Sequence, residues 1–360
     1  MPNEITLDDL RQKIDALDKQ LQDMLNMRAR YAQQVAEIKR EVEDDPEFYR
    51  PEREAAVLQR VQERNKGPLS NEEVTRLFRE VMSACLALEQ VLKVAYLGPE
   101  GTFTQAAALK HFGHSVNVMS MSSINEIFRE VESGACHYGV VPVENSTEGV
   151  INHTLDMFMN SPLQICGEVE LRIHHNLMSI APMDDIKRVY SHSQSLAQCR
   201  GWLDSHLPAV DRISVSSNAE AARLAHQSNE AAAIAGESAA DIYQLNYLAK
   251  NIEDDPDNTT RFLIVGRHPV SSNGIDKTSL LVSAGNKVGT LHRLLQPFVK
   301  HEISMTRIES RPSRRGMWDY VFFIDINGHI EDEVIKTAIE ELNNEAMSVK
   351  VLGSYPRAVL

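Results

Sequence analysis

The sequence predicts a multidomain protein with an all-α N-terminal region, a two-lobed α/β middle region and an α+β C-terminal region. Apolar residues recur at alternating steps of three and four along the first 42 residues, which is the coiled-coil period. Short apolar runs then alternate with helical patterns, which is typical of α/β domains. The last part follows a ferredoxin-like βαββαβ order. We expect domains at 1–93, 94–270 and 275–360, joined to the last by a linker at 271–274.

The first region consists of three predicted helices. Residues 6–9 can cap the first helix, which ends near Val42, and the second begins after Pro51 and stops at the breaker 65–68. A capping box at 70–73 begins the third. Because the first helix would be roughly 50 Å long, we expect a partner protomer to cover its apolar seam.

The second and third regions are predicted from their apolar runs and turn signals. In the second region we expect strands at 94–97, 116–121, 139–143, 165–169, 189–191, 231–235 and 261–265 and helices at 105–112, 124–132, 196–206 and 219–226. This alternation predicts largely parallel sheets, and its length allows two lobes with a cleft. In the third region we expect strands at 278–283, 304–309, 320–326 and 349–352 and helices at 288–300 and 331–344.

The composition limits the class of protein. A net charge of −14 argues against a general nucleic-acid or membrane-surface binder. The four cysteines have no CxxC spacing, which is typical of reduced thiols in the cytosol. No apolar run approaches the roughly 20 residues of a membrane span. We therefore expect a cytoplasmic homo-oligomer with no nucleic-acid or membrane partner.

Two cations lie on the seam of the first helix. Arg28 interrupts the apolar pattern, and Lys39 follows eleven residues later, about three helical turns, on nearly the same face. A buried guanidinium must be paired or must bind an anion, because an unpaired buried charge is costly. The pattern indicates a pocket for an anionic ligand. The alternative is an arginine that extends to solvent or pairs with a carboxylate on an opposing helix.

The same region resembles the all-helical chorismate mutase family, in the form found at the N-terminus of bifunctional chorismate mutase/prephenate dehydratases. The resemblance is carried by LRxxID at 10–15, the Arg28-to-Lys39 spacing and PERE at 51–54. It implies a chorismate site made of Arg11, Arg28, Lys39, Arg53, Glu54, Cys85 and Glu89, with Arg28, Lys39 and Glu89 catalytic. Arg11 lies 17 residues from Arg28, about 25 Å along a helix, so it would serve the partner's pocket in an intertwined dimer. The rearrangement is pericyclic and needs no cofactor or metal.

Two positions depart from the family pattern. Arg50 stands where some members carry Asp, and Glu89 stands where some carry Gln. A carboxylate facing the ether oxygen helps only when it is protonated, and desolvation on an apolar stripe raises the pKa of Glu89. We therefore expect mutase activity to fall as pH rises. The alternative is that Glu89 is a solvated residue at a fraying helix end.

Four polar loops at strand ends predict a ligand cleft in the middle region, at 98–104, 142–149, 191–194 and 258–262. The first loop lacks the GK[ST] ending of a nucleotide-binding loop. Adjacent His174 and His175 would point to opposite faces of an extended segment, so we expect no metal site there.

Residues 94–267 resemble the prephenate dehydratase domain, chiefly through PVENS at 142–146 and Thr-Arg-Phe at 260–262. The resemblance implies that Thr260 is the catalytic hydroxyl, acting as a hydrogen-bond donor, and leaves the final proton donor open. Arg261 would orient the motif or hold a carboxylate. The implied prephenate-binding residues are Thr102, Glu144, Asn145, Ser146, Ser191, Gln198, Thr260, Arg261 and Phe262.

The C-terminal region resembles the ACT domain of the same family, through ESRP at 309–312 and a Gly-Thr-Leu helix start at 289–291. It implies a site for L-phenylalanine between paired ACT domains and feedback inhibition. The implied residues are Gly289, Thr290, Leu291, Glu309, Ser310, Arg311 and Pro312. His292 departs from the usual Val. The alternative is an ACT domain that serves only dimerisation.

Together these resemblances predict a bifunctional enzyme of phenylalanine biosynthesis, acting as a dimer or tetramer without cofactors. Chorismate would be rearranged to prephenate, which would then be converted to phenylpyruvate. Two alternatives stay open. The second activity could prefer arogenate, or the middle and C-terminal regions could form a non-catalytic amino-acid sensor attached to a mutase.

Overall fold

The computed structural model describes residues 5–42, 46–285, 287–312 and 320–358. The helices are α1 Leu7–Val42, α2 Pro51–Arg64, α3 Asn71–Glu89, α4 Phe103–Phe112, α5 Ile124–Glu132, α6 Asn152–Phe158, α7 Ser193–Gln198, α8 Arg200–His206, α9 Asn218–His226, α10 Glu237–Ile242, α11 Thr290–Lys300 and α12 Glu333–Glu345. The strands are β1 Lys93–Leu97, β2 Asn117–Met121, β3 Tyr138–Asn145, β4 Gly149–Val150, β5 Gln164–Arg172, β6 Asn176–Ser179, β7 Arg188–His192, β8 Asp211–Val215, β9 Ala231–Ala235, β10 Asn246–Ala249, β11 Thr259–Gly266, β12 Asp276–Ala284, β13 Met305–Pro312, β14 Tyr320–Asn327 and β15 Ser348–Pro356.

The N-terminal helices begin where their capping residues predict. The Thr6 Oγ1 accepts a hydrogen bond from the Asp9 amide (3.2 Å), and the Asp9 carboxylate accepts one from the Thr6 amide (3.0 Å). At α3 the Ser70 hydroxyl accepts from the amide of Glu73 (3.2 Å), whereas the Glu73 carboxylate pairs with Arg76 instead of closing the box. Both predicted starts are confirmed.

The apolar seam of α1 lies open to solvent in the single chain. Its first members are 47% to 63% exposed: Leu7, Leu10, Ile14, Leu17, Leu21 and Met24. α1 packs against α3, and Ala36 is its buried residue. A stripe of this length costs free energy in water, so the fold of one chain leaves it available for another surface.

The middle region forms two mixed sheets, one in each lobe. The first has the order β2-β1-β3-β11-β5, with β4 on β3, and the second has the order β10-β6-β9-β7-β8. β11 runs antiparallel to both β3 and β5, so the expectation of largely parallel sheets is wrong. The chain leaves the first lobe after β5 and returns as β11 in the middle of its sheet. Strands buried on both faces carry similar apolar runs in either direction, so the sequence pattern does not reveal this reversal.

The predicted helix at 196–206 is divided at Cys199 into α7 and α8. Several short elements were not predicted: α6, α10, β4, β6, β8 and β10. These segments are two to seven residues long, so they contain too little of a helical or strand period to be recognised.

The C-terminal region has the predicted βαββαβ order. Its antiparallel sheet, β13-β14-β12-β15, packs α11 and α12 on one face. On the other face Leu281, Phe323 and Tyr355 share one core with Val141 and Leu263 of the first lobe. This C-terminal sheet therefore lies directly on the sheet that carries β3 and β11. None of the described helices combines the length and apolar character that a membrane crossing requires.

Candidate functional site

The first candidate site lies where β3 ends and β11 begins. Asn145 and Thr260 are register partners across this antiparallel pair. The Asn145 amide nitrogen donates to the Thr260 Oγ1 (2.8 Å) and to the Asn258 Oδ1 (2.7 Å). Because the Thr260 oxygen already accepts a hydrogen bond, its own proton is free to be donated to another group.

Further hydrogen bonds connect this pair to the second lobe. The Gln198 Oε1 accepts from the Asn258 Nδ2 (3.1 Å) and lies 2.8 Å from the His175 Nε2. The Gln198 Nε2 lies 3.4 Å from the carboxylate of Glu148. Polar side chains of both lobes thus converge on one cleft, as the four predicted loops require.

Three other predicted residues of the cleft hold the backbone around it. The Thr102 hydroxyl donates to the Leu97 carbonyl (3.0 Å), and the Ser146 hydroxyl accepts from the Thr259 amide (3.0 Å). Ser191 is fully buried, and its hydroxyl, which has one proton to donate, lies 2.9 Å from the Asn218 Oδ1 and 2.8 Å from the Ile234 carbonyl oxygen within the second lobe.

Glu144, Arg261 and Phe262 do not face the cleft. The Arg261 guanidinium binds Glu168 (2.8 Å) and Asp325 (2.7 Å), and Glu144 lies 3.1 Å from the Arg307 Nε. Phe262 is buried in the core beside α4. Successive residues of a strand point to opposite faces, so Arg261 contacts the C-terminal sheet while Thr260 contacts the cleft. Arg261 therefore does not reach the cleft, and of its two predicted roles only that of orienting the motif stays a prediction.

Two residues of the cleft were missed as site residues. Asn258 is 1% exposed and links Asn145 to Gln198, and His175 is 1% exposed and contacts Gln198. The sequence carried a signal for His175, because the neighbouring pair His174 and His175 requires one ring to point inward. His174 faces outward and pairs with Glu253 at 2.8 Å. The described residues contain no cluster of three or more His, Cys, Asp or Glu suited to a metal ion.

The second candidate site lies between the end of α1 and the end of α3. Burial raises the pKa of Glu89, and the neighbouring charges of Lys39, Arg28 and Arg40 oppose this shift without cancelling it. The Arg40 guanidinium donates to the Glu89 carbonyl (2.6 Å), and the Lys39 ammonium donates to the Glu47 carbonyl (2.7 Å). The structure thus brings Arg28, Lys39 and Glu89 together.

An open groove of about 380 Å³ adjoins this cluster and is lined by Leu25, Ala29, Val81, Cys85 and Leu88, among others. Cys85 therefore lies on the α1–α3 side of the molecule, and its contact with chorismate stays a prediction.

The remaining predicted chorismate residues lie apart from this cluster in the single chain. Arg11 is exposed and lies 3.7 Å from Asp8. Arg53 is exposed on α2. Glu54 lines a cavity between the mutase-like helices and the first lobe, with its carboxylate 3.8 Å from the Arg79 Nε. Burial raises the pKa of Glu54 to about 7, and the Arg79 charge opposes the shift.

The third candidate site lies at the start of α11. Gly289 (φ +76°), Thr290, Leu291 and His292 line an open pocket of about 220 Å³ together with Tyr320 and Phe322 of β14. Two of the ESRP residues, Ser310 and Pro312, pair in register with Phe322 and Tyr320. The two predicted phenylalanine-binding segments therefore meet at one end of β14.

The ESRP residues of β13 face two ways. Ser310 and Pro312 are exposed, whereas Glu309 and Arg311 are partly buried. The Arg311 guanidinium lies 2.7 Å from the carboxylate of Asp156 in the first lobe. One strand thus exposes Ser310 and Pro312 on one face and contacts Asp156 of the first lobe from the other.

Family models match all three regions: chorismate mutase type II over residues 10–90, prephenate dehydratase over 94–270 and the ACT domain over 278–344. The chain is 58% identical over 365 residues to the bifunctional chorismate mutase/prephenate dehydratase of Pseudomonas aeruginosa, covering 100% of both chains. It is 38% identical over 280 residues to arogenate dehydratase/prephenate dehydratase 2 of Arabidopsis thaliana, covering 74% of this chain and 73% of that one. The crystal structure of prephenate dehydratase from Arthrobacter aurescens in complex with L-Phe is 34% identical with a TM-score of 0.69, covering 74% of this chain and 90% of that one.

Proposed function

The chain belongs to the bifunctional chorismate mutase/prephenate dehydratase family, and from that premise we propose which of its residues perform each reaction. It rearranges chorismate to prephenate in the helical region and converts prephenate to phenylpyruvate in the two-lobed region. The observation that carries the assignment of the second reaction is the hydrogen-bonded pair of Asn145 and Thr260 at the mouth of the cleft.

Prephenate must lose its ring carboxylate and its ring hydroxyl. The bond to the carboxylate breaks to release CO₂, its electron pair enters the ring, and the C–O bond breaks as the leaving hydroxyl gains a proton and departs as water. The Thr260 hydroxyl, held by Asn145, donates a hydrogen bond to that leaving oxygen. The Gln198 Nε2 offers a donor to a substrate carboxylate. The gain of aromaticity drives the reaction.

Replacing Thr260 tests this assignment. We expect Thr260→Val to lower kcat for prephenate by about 10²-fold, because the donor to the leaving oxygen is lost, and Thr260→Ser to retain most activity. Phenylpyruvate is measured at neutral pH, since acid converts prephenate unaided. Mutase activity in the same preparation reports that the chain is folded. A Thr260→Val protein within a few-fold of wild type would refute the role of the hydroxyl.

For the mutase we assign the carboxylates of chorismate to Arg28, Arg53 and the partner's Arg11. Lys39 and a protonated Glu89 bind the ether oxygen. These cations grip the chair-like conformer and stabilise charge on the departing enolate oxygen. We also assign the ring hydroxyl to Glu54, on the family pattern; in the single chain its carboxylate lies beside Arg79. Cys85 lines the adjoining groove.

We further assign L-phenylalanine to the pocket at Gly289–His292 and the exposed Ser310 and Pro312, as an inhibitor of a cytoplasmic homo-oligomer. The L-Phe complex of the Arthrobacter aurescens relative supports this ligand. Because the Arabidopsis thaliana relative is named for both arogenate and prephenate, comparing kcat/KM for the two substrates distinguishes the prephenate enzyme from the alternative.

A further inference from the structure

His175 lies at the connection between the two lobes, directly before β6, where its ring is 1% exposed. The Phe103 ring at the start of α4 contacts it edge to face, with ring centres 5.6 Å apart. Its backbone is held by the returning connection, because its amide donates to Glu253 (2.8 Å) and its carbonyl accepts from the amide of Ile252 (2.8 Å). The imidazole is therefore fixed in place, although the mechanism above does not use it.

The direction of the hydrogen bonds in the cleft is set by two backbone donors. The Asn145 Oδ1 accepts from the amides of Thr147 and Glu148, both at 3.0 Å, so the Asn145 Nδ2 must be the donor toward Asn258. The Asn258 Oδ1 is then an acceptor, and its Nδ2 donates to the Gln198 Oε1. Each amide orientation follows from the one before it.

The His175 ring completes this series. Its Nε2 lies 2.8 Å from the Gln198 Oε1, which is already an acceptor, so Nε2 must carry the proton. Burial lowers the pKa of His175, while the bond to Gln198 and the charge of Glu253 oppose the shift, so the ring is neutral near pH 7. Nδ1 has no hydrogen-bond partner among the described residues. Two donors on Oε1 leave the Gln198 Nε2 as the group that faces the cleft.

We propose that His175 is a positioning residue for prephenate dehydration, which fixes the Gln198 amide so that its N–H, and not its carbonyl, meets a carboxylate of the substrate. The inference rests on the proposed function, since it requires that Gln198 contact prephenate. Without the imidazole donor, Gln198 is held only by the Asn258 donor and the long contact to Glu148 (3.4 Å), and it can present its oxygen to the anion. This loss weakens substrate binding more than it slows the chemical step.

Two amide replacements in the full-length enzyme separate this role from simple packing. The amide nitrogen of His175→Gln falls near the place of Nε2, and that of His175→Asn near the place of Nδ1. We expect His175→Asn to raise the KM for prephenate about tenfold with little change in kcat, and His175→Gln to stay within about threefold of wild type. His174→Asn, on the outward neighbour, is the matched control and should leave the KM unchanged. Mutase activity reports folding in each case.

The Gln198→Ala variant distinguishes the two proposals. If Gln198→Ala leaves the KM unchanged, the assignment of Gln198 to the substrate fails, whatever His175 does. If Gln198→Ala raises the KM but His175→Asn does not, or if His175→Gln is as damaging as His175→Asn, only the role of His175 is overturned. We expect the double variant His175→Asn/Gln198→Ala to match Gln198→Ala alone, and a further tenfold rise in KM would show that His175 acts by another route.

Discussion

Glu89 illustrates how the surroundings of one carboxyl group decide whether it helps or opposes a reaction. Desolvation raises its pKa, and the cations Lys39, Arg28 and Arg40 limit that rise. In its neutral form the group can donate to an ether oxygen that gains negative charge, and in its ionised form it repels that charge. We therefore expect Glu89 to favour the rearrangement when it is protonated at low pH and to oppose it when it is ionised at high pH.

This balance predicts a pH-dependent mutase. Because the pKa of Glu89 is raised, kcat/KM for chorismate should be highest below that pKa and fall as pH rises through it. Glu89→Gln keeps a neutral donor at every pH and should flatten the profile between about pH 5 and pH 9. Chorismate consumption is followed across that range, with prephenate dehydration by the same samples as the control. Identical profiles for the two proteins would contradict the role of Glu89.

At the scale of elements, β15 is the strand through which the C-terminal sheet packs on the first lobe. Gly353 allows a very close approach, because a Cβ built at this residue would lie 2.2 Å from the Ile165 carbonyl oxygen of β5. The obstructing atoms belong to backbone and cannot rotate away. The two sheets are thus matched at a point where glycine alone fits.

Gly353→Ala should separate these sheets or strain both. We expect a loss of about 1–3 kcal/mol in the free energy of unfolding, together with weaker inhibition of dehydration by L-phenylalanine, since the sheet that carries the proposed pocket contacts the first lobe here. Gly274→Ala provides a contrast, because no atom lies within 4 Å of its added Cβ, although its φ of +93° carries its own backbone cost. Thermal unfolding and inhibition curves measure the two effects, and a Gly353→Ala protein as stable and as inhibited as wild type would contradict the docking argument.

The sequence predicted strands with long apolar runs such as β9 and β12, and it predicted the helix starts that carry their own caps. It did not predict the antiparallel direction of β11. That direction depends on the lobe to which the chain returns, and a strand buried on both faces carries a similar apolar pattern in either direction. The side of the sheet on which Arg261 lies could not be predicted either, because it also depends on how β11 pairs with its neighbours. Asn145, Gln198 and Thr260 were predicted by resemblance, whereas His175 required the fold to bring two connections together.

At the scale of the whole molecule, ion pairs connect the C-terminal sheet to the strands that end at the cleft. Arg261 of β11 pairs with Asp325 of β14 at 2.7 Å, and Arg307 of β13 pairs with Glu144 of β3 at 3.1 Å. Asp325 is almost fully buried, yet Arg261 and its other partners hold its pKa below the usual value. A shift of β13 or β14 must therefore disturb the strands that carry Asn145 and Thr260, or else break these pairs at considerable cost.

The open seam of α1 predicts that assembly and mutase activity depend on each other. Leu17→Glu places a charge in the middle of the seam and should weaken the dimer and abolish most mutase activity, because Arg11 no longer reaches the partner's pocket. Gln22→Glu makes the same change of charge about 140° away around the helix and is the control. Sedimentation equilibrium and both activities are measured. A monomeric Leu17→Glu protein with full mutase activity would show that one chain suffices.

Thr260 and Arg261 are adjacent in the chain but face opposite sides of β11. Thr260 faces the cleft, and Arg261 faces the C-terminal sheet. A single residue inserted into or deleted from the connection before β11 that moved the strand by one position would turn each side chain to the opposite face: in one direction the Arg261 guanidinium would lie beside Asn145, and in the other the Thr260 hydroxyl would lie against Asp325. In either case Thr260 and Arg261 would both lose their present partners, Asn145 and Asp325. The connection at 250–258 is therefore constrained in length, which can change only where the register of β11 is preserved, and also in composition at Glu253 and Asn258, which hold His175 and Asn145.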